Sequence, residues 1–226
     1  MVNSYEAELN IENPKRGVST PTGNAAWYPF YPGFSYKFSK ELIKSADLMS
    51  GAIVLDPWNG SGTTTSVAVE LGHRAIGLDL NPVMVVTAKA RLLSHGEKPS
   101  LRPIANAIVR IIDESVDTNA YQPDPLLEWF VPNSAQRVRA LEMAVQKLLV
   151  DSQEYKPWRL RCYEQDLSEL CAFFYLVVFR TVRQLLGDRY TSNPTWIKRS
   201  KELDRANPTT NIIVALWRIL WVAVKM

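Results

Sequence analysis

Residues 53–65, Ile53-Val54-Leu55-Asp56-Pro57-Trp58-Asn59-Gly60-Ser61-Gly62-Thr63-Thr64-Thr65, constrain the fold more than any other stretch. Ile53 to Leu55 is a short β-branched and apolar run, the pattern of a buried strand. It breaks at Asp56-Pro57 and passes through two glycines. The run Thr63 to Thr65 then opens a helix, which continues through Val67, Ala68, Val69 and Leu71 to a stop at Gly72. Glycines at 60 and 62 let the backbone turn sharply and approach a ligand, because no Cβ stands in the way. A second apolar run, Ala75-Ile76-Gly77-Leu78, ends in Asp79. That carboxylate lies about twenty residues past the turn, where an acid accepts ribose hydroxyls in open parallel-sheet folds. Strand, glycine turn, helix, strand and acid together predict a nucleoside-binding unit.

The residues narrow which nucleoside fits. A dinucleotide site prefers G-x-G-x-x-G, with the helix N-terminus facing a pyrophosphate. The third glycine is missing here, and Asp56 stands just before the turn. A carboxylate there repels a pyrophosphate and suits the ammonium of an amino-acid tail. S-adenosylmethionine has such a tail and carries no phosphate. A lone G-x-G is also compatible with an ordinary tight turn. Asp56, Asp79 and the strand pattern agree on the cofactor reading.

Asp56-Pro57-Trp58-Asn59-Gly60-Ser61-Gly62-Thr63-Thr64 resembles the D-P-F-x-G-S-G-T-T motif of the DNA methyltransferases that modify adenine N6 or cytosine N4. Trp58 replaces one aromatic wall by another. Tyr31-Pro32-Gly33-Phe34-Ser35-Tyr36-Lys37-Phe38-Ser39 resembles the family segment that covers the methionine end of the cofactor. Leu78-Asp79-Leu80-Asn81-Pro82 resembles the motif whose acid binds the ribose. The resemblance implies S-adenosyl-L-methionine as cofactor. It also implies a binding set of Phe34, Lys37, Phe38, Asp56, Pro57, Trp58, Gly60, Ser61, Gly62, Thr63, Thr64, Asp79, Leu80 and Asn81. Glu128-Trp129-Phe130-Val131-Pro132 and residues 191–198 resemble a helical insert of one subgroup.

The family catalyses with a D/N/S-P-P-Y/F/W tetrapeptide at the end of a buried strand, and no such tetrapeptide occurs in these residues. Asn193-Pro194-Thr195-Trp196 comes nearest, but it follows Leu186-Gly187-Asp188-Arg189-Tyr190-Thr191, a helix end and polar loop rather than a strand. No catalytic residue is therefore assigned. Apolar positions over 102–113, 135–149 and 167–186 are spaced as in helices. Two parallel strands alone leave an apolar edge and lack helices over both faces. The missing strands and the missing tetrapeptide belong to the same half of the fold, which predicts a split enzyme.

The expected fold class is α/β: a partial Rossmann-like sheet completed by a partner chain, with a large helical insertion. Residues 1–26 form a polar, Pro-rich arm with no secretory signal. Residues 27–96 are the S-adenosylmethionine-binding half, 97–190 the helical insertion, and 191–226 a basic loop and apolar helix. That last apolar run, Ile212 to Val224, is thirteen residues interrupted by Arg218. A bilayer needs roughly twenty, so the run predicts a buried or partner-facing helix and no membrane span. Seven tryptophans in 226 residues, with 46% hydrophobic and 10% aromatic content, indicate a folded protein. Cys162 and Cys171 form no metal-ligand spacing, so reduced core thiols, no metal and a cytoplasmic location are expected.

A net charge of +3 is too small to argue for nucleic acid. From Lys156 onward, however, twelve Lys and Arg face six Asp and Glu. Arg189, Trp196, Lys198, Arg199 and Lys201 make a basic loop with an aromatic, which suits phosphate contact and stacking on double-stranded DNA. A solvated charged face is the plainer alternative. The expected function is the cofactor subunit of an obligate heterodimer, with adenine favoured over cytosine because that activity is the commoner one in the family. Two rivals stay open. One is a complete methyltransferase on another substrate using Asn193–Trp196, the other a non-catalytic nucleic-acid-binding remnant.

Overall fold

The computed structural model describes residues 11, 13–14, 27–28, 33–114, 124–150, 167–187, 205–208 and 211–225. The element order is α1 (Tyr36–Ser45), β1 (Ile53–Asp56), α2 (Thr63–Glu70), β2 (Arg74–Gly77), α3 (Pro82–Ala90), α4 (Lys98–Glu114), α5 (Pro132–Leu149), α6 (Glu169–Leu186) and α7 (Ile212–Lys225). Two compact units result, one of residues 1–20 and 32–88, the other of 21–31 and 89–226.

The first unit is a small α/β layer. β1 and β2 pair in parallel, with Val54 beside Ala75 and Asp56 beside Gly77. Among the described residues they are the whole sheet. One sheet face packs on α1 and α2, where Ile43, Val67 and Ala68 meet Val54, Leu71 and Ala75. The other face is open: Ile53, Leu55, Ile76 and Leu78 are all about half exposed. Parallel strands ordinarily bury both faces, so this apolar row is an unfinished surface. Ser35 starts α1 by accepting the Phe38 amide on its hydroxyl at 3.0 Å. Lys40 of α1 reaches Glu70 of α2 at 2.7 Å, a part-exposed pair worth about 0–1 kcal/mol.

The second unit is helical. Pro132 stands in the first turn of α5, where a missing N–H costs nothing. α6 is apolar on nearly every side, and Cys171 through Val178 are all buried, as a central helix must be. Its start is fixed by Ser168, which accepts the Cys171 amide at 3.1 Å. Phe173 meets Trp27 edge-on at 4.8 Å and Phe174 at 5.4 Å, so one of the seven tryptophans lies within this core. Arg139 forks both oxygens of buried Asp124 at 2.9 and 2.8 Å and reaches buried Glu142 at 3.0 Å. The Ala206 amide donates to the Trp129 carbonyl at 2.7 Å and its carbonyl accepts from Val131, tying residues 205–208 to the start of α5.

The helices expected over 102–113, 135–149, 167–186 and 212–224 correspond to α4, α5, α6 and α7. α1 and α3 add two helices that the apolar spacing does not single out. Among the described residues no helix is long and apolar enough to cross a membrane. None of their His, Cys, Asp and Glu side chains group as three or more potential metal ligands. Asn193–Trp196, the basic residues Arg189, Lys198, Arg199 and Lys201, and Cys162 lie outside the described residues.

Candidate functional site

In parallel α/β sheets, ligands bind beyond the carboxyl ends of the strands. Both acids singled out in the sequence stand there. Asp56 closes β1, and Asp79 follows β2 by two residues, with the ladder carried past the strands by Leu78 N–H donating to the Asp56 carbonyl at 2.9 Å. The Asn59 amide then donates to the Leu78 carbonyl at 2.9 Å, folding the glycine turn against the end of β2.

Asp79 is the junction. Its Oδ2 accepts the Gly60 amide at 2.8 Å and its Oδ1 accepts the Asn81 amide at 2.8 Å. A carboxylate offers about four acceptor positions. With one used on each oxygen and the residue only half-buried, each oxygen keeps a position for an outside hydroxyl. Asp56 accepts the Trp58 amide on Oδ1 at 3.0 Å, which turns the chain outward. Trp58 is 84% exposed and Leu80 fully so, leaving two large apolar groups next to the two acids. Pro57 and Asn81 are exposed beside them.

The turn itself is built from inside. Gly60 and Gly62 both adopt left-handed φ angles, 51° and 81°. A Cβ on Gly62 would stand 2.6 Å from the Ala88 Cβ, so this glycine lets α2 start against α3 rather than making room for a ligand. Ser61 and Thr63 are buried, while Thr64 is half-buried. Asn59 and Gly77 are absent from the set that the sequence singles out. The Asn59 carboxamide accepts the Thr65 hydroxyl at 3.0 Å, and it lies where a Gly77 Cβ would be. A glycine at the end of a strand, opposite an amide in a turn, is the signal that marks such a close approach.

Phe34, Lys37 and Phe38 group at the start of α1. The two rings lie 5.3 Å apart, and Lys37 runs along its own helix toward Glu41 at 3.9 Å. α1 packs on α2, whose N-terminus carries the glycine turn.

A family model described as DNA methylase matches residues 22–90, the stretch that contains both acids and the turn. Over residues 22–90 this chain thus resembles the N6/N4 DNA methylases. The chain is also similar to curated type II methyltransferases. M.BsoBI of Geobacillus stearothermophilus is 40% identical over 57 residues, 25% of this chain and 11% of that protein. M2.DpnII of Streptococcus pneumoniae is 37% identical over 99 residues, 42% of this chain and 37% of that protein. The chain therefore spans well under half the length of these relatives. No solved structure matches it.

Proposed function

We propose that this chain is the cofactor-binding subunit of a split, S-adenosylmethionine-dependent DNA amino-methyltransferase, with adenine N6 favoured over cytosine N4. A second subunit supplies the D/N/S-P-P-Y/F/W tetrapeptide. The observation that carries the reading is the Asp56–Asp79 pair of acids at the carboxyl end of a parallel strand pair within the methylase segment. The residues fit the cofactor. Asp79 retains an acceptor position on each oxygen for the two ribose hydroxyls. Asp56 and the Gly60–Gly62 turn suit the methionine tail, and exposed Trp58 and Leu80 suit the faces of the adenine. Phe34, Lys37 and Phe38 would wall the methionine end.

S-adenosylmethionine supplies the methyl group. The work of this chain is to hold that donor in one orientation and keep water away from it. The target base must leave the duplex, because its exocyclic amine cannot meet a donor inside the stack. The open apolar face formed by Ile53, Leu55, Ile76 and Leu78 supports a second polypeptide that covers it. An interface that divides a core in this way buries above ~2,000 Å².

The test is transfer of tritiated methyl from S-adenosylmethionine to double-stranded DNA, with each subunit alone and with both. Methylation is expected in the mixture alone, together with a stable heterodimer. Robust turnover by this chain by itself would sink the split reading and return attention to Asn193.

A further inference from the structure

A second concave site lies within the helical unit, outside the residues matched to the methylase family. It is a cavity of about 350 Å³ between α4 and α7, lined by Leu101, Arg102, Asn106, Trp217, Leu220 and Trp221. Helical spacing explains the lining. Arg102 and Asn106 are four apart on one exposed face of α4, and Trp217 and Trp221 are four apart on α7. Leu101 and Leu220, both fully buried, close the floor. Trp221 is 63% exposed at the mouth.

Size and chemistry narrow the occupant. An α-helix with its side chains is about 10–12 Å across, so two turns need far more room than this cavity has. A cavity near the lower end of the small-ligand range holds one ring system and its sugar. The lining offers an indole face, a guanidinium and a carboxamide. An indole stacks on any base, a guanidinium forks a phosphate, and a carboxamide presents both donor and acceptor to a base edge. Among the described residues no carboxylate lines the cavity to repel an anion.

We propose that this cavity takes an unstacked nucleobase of single-stranded DNA. The base stacks on Trp221, its edge meets Asn106, and its flanking phosphate meets Arg102. Such a site would hold a displaced strand or a frayed end beside the duplex, independently of the cofactor site.

The test uses the full 226-residue chain and a single-stranded oligonucleotide carrying 5-iododeoxyuridine, with photo-crosslinking and peptide mass mapping. The adduct is expected on the peptide that contains Trp217 and Trp221. Trp221→Ala should abolish it, and Trp221→Phe should keep part of it. Arg102→Ala and Asn106→Ala, on a different helix, should each weaken binding by about tenfold in anisotropy titrations, the loss of one good hydrogen-bonding contact. Asp79→Ala should leave the adduct in place. Thermal melting of each variant separates lost binding from lost folding, and the α4 variants decide the matter if α7 fails. Adducts mapped elsewhere, or unchanged affinity in Arg102→Ala and Trp221→Ala, would overturn the proposal. So would a Trp221→Ala variant that changes the oligomeric mass by light scattering while still binding the oligonucleotide, since that result makes the cavity a protein contact.

Discussion

The Gly60 amide donates to the Asp79 carboxylate at 2.8 Å, joining the turn after β1 to the segment after β2. One side chain thus closes the site from below while offering acceptor positions above. The shape of the turn and the chemistry of the acid are not independent, because a change at either residue moves the other.

Asp79→Ala should weaken S-adenosylmethionine binding by roughly 2–4 kcal/mol, since two charge-assisted hydrogen bonds are lost along with the anchor of the turn. Calorimetry on the assembled enzyme measures this. An unchanged affinity removes Asp79 from the site.

Gly62→Ala should destabilise the first unit by about 1–3 kcal/mol, combining a left-handed backbone with a collision at Ala88. Adding Ala88→Gly should recover only the part due to the Cβ contact, because the Ala88 Cα would still lie 2.9 Å away and a glycine inside α3 costs about 0.5–1 kcal/mol itself. Chemical denaturation of the single and double variants separates the two. If Gly62→Ala costs no more than an alanine placed at a left-handed backbone position without a neighbour, such as Gly51→Ala, the close packing of α2 on α3 is not what requires this glycine.

Arg139 neutralises two carboxylates, Asp124 and Glu142, that are largely buried. Arg139→Ala leaves those charges without their shared cation and should cost about 3–5 kcal/mol, an effect far above that of a surface pair. A small shift in the denaturation midpoint would show that water reaches the pair.

Burial pushes the Cys171 thiol from an ordinary 9.0 up to about 12, against a smaller opposing pull from Lys89. The folded chain therefore holds the thiol neutral where the unfolded chain ionises it. Its contribution to stability is whole below pH 9.0 and is lost as pH rises toward about 12. In a Cys162→Ser background, Cys171 should resist thiol reagents at pH 8 until denaturant is added. Rapid labelling of the native chain would contradict the buried placement.

Replacing Lys198, Arg199 and Lys201 together by Ala should weaken DNA binding on all sequences and flatten its salt dependence. Each lost phosphate contact lowers the log–log slope by about one. Equal slopes in the assembled enzyme would leave this loop a solvated surface.

Local pattern alone determined where the strand pair, the glycine turn and five of the helices form. Each of these rests on periodicity or on a backbone need that neighbouring residues express, as Ile53–Leu55 and the apolar spacing of α6 do. The same stretch marked Asp56 and Asp79, because a turn and an acid at fixed spacing carry their chemistry in sequence. The partners of those residues were settled by the tertiary structure. Gly62 comes up against Ala88, and Asn59 fits over Gly77, only once α3 and β2 fold back on the turn. Arg102 and Asn106 are 115 positions from Trp217 and Trp221 at both pairings, yet line one cavity. No local periodicity encodes such meetings, since they depend on which faces of distant helices pack together.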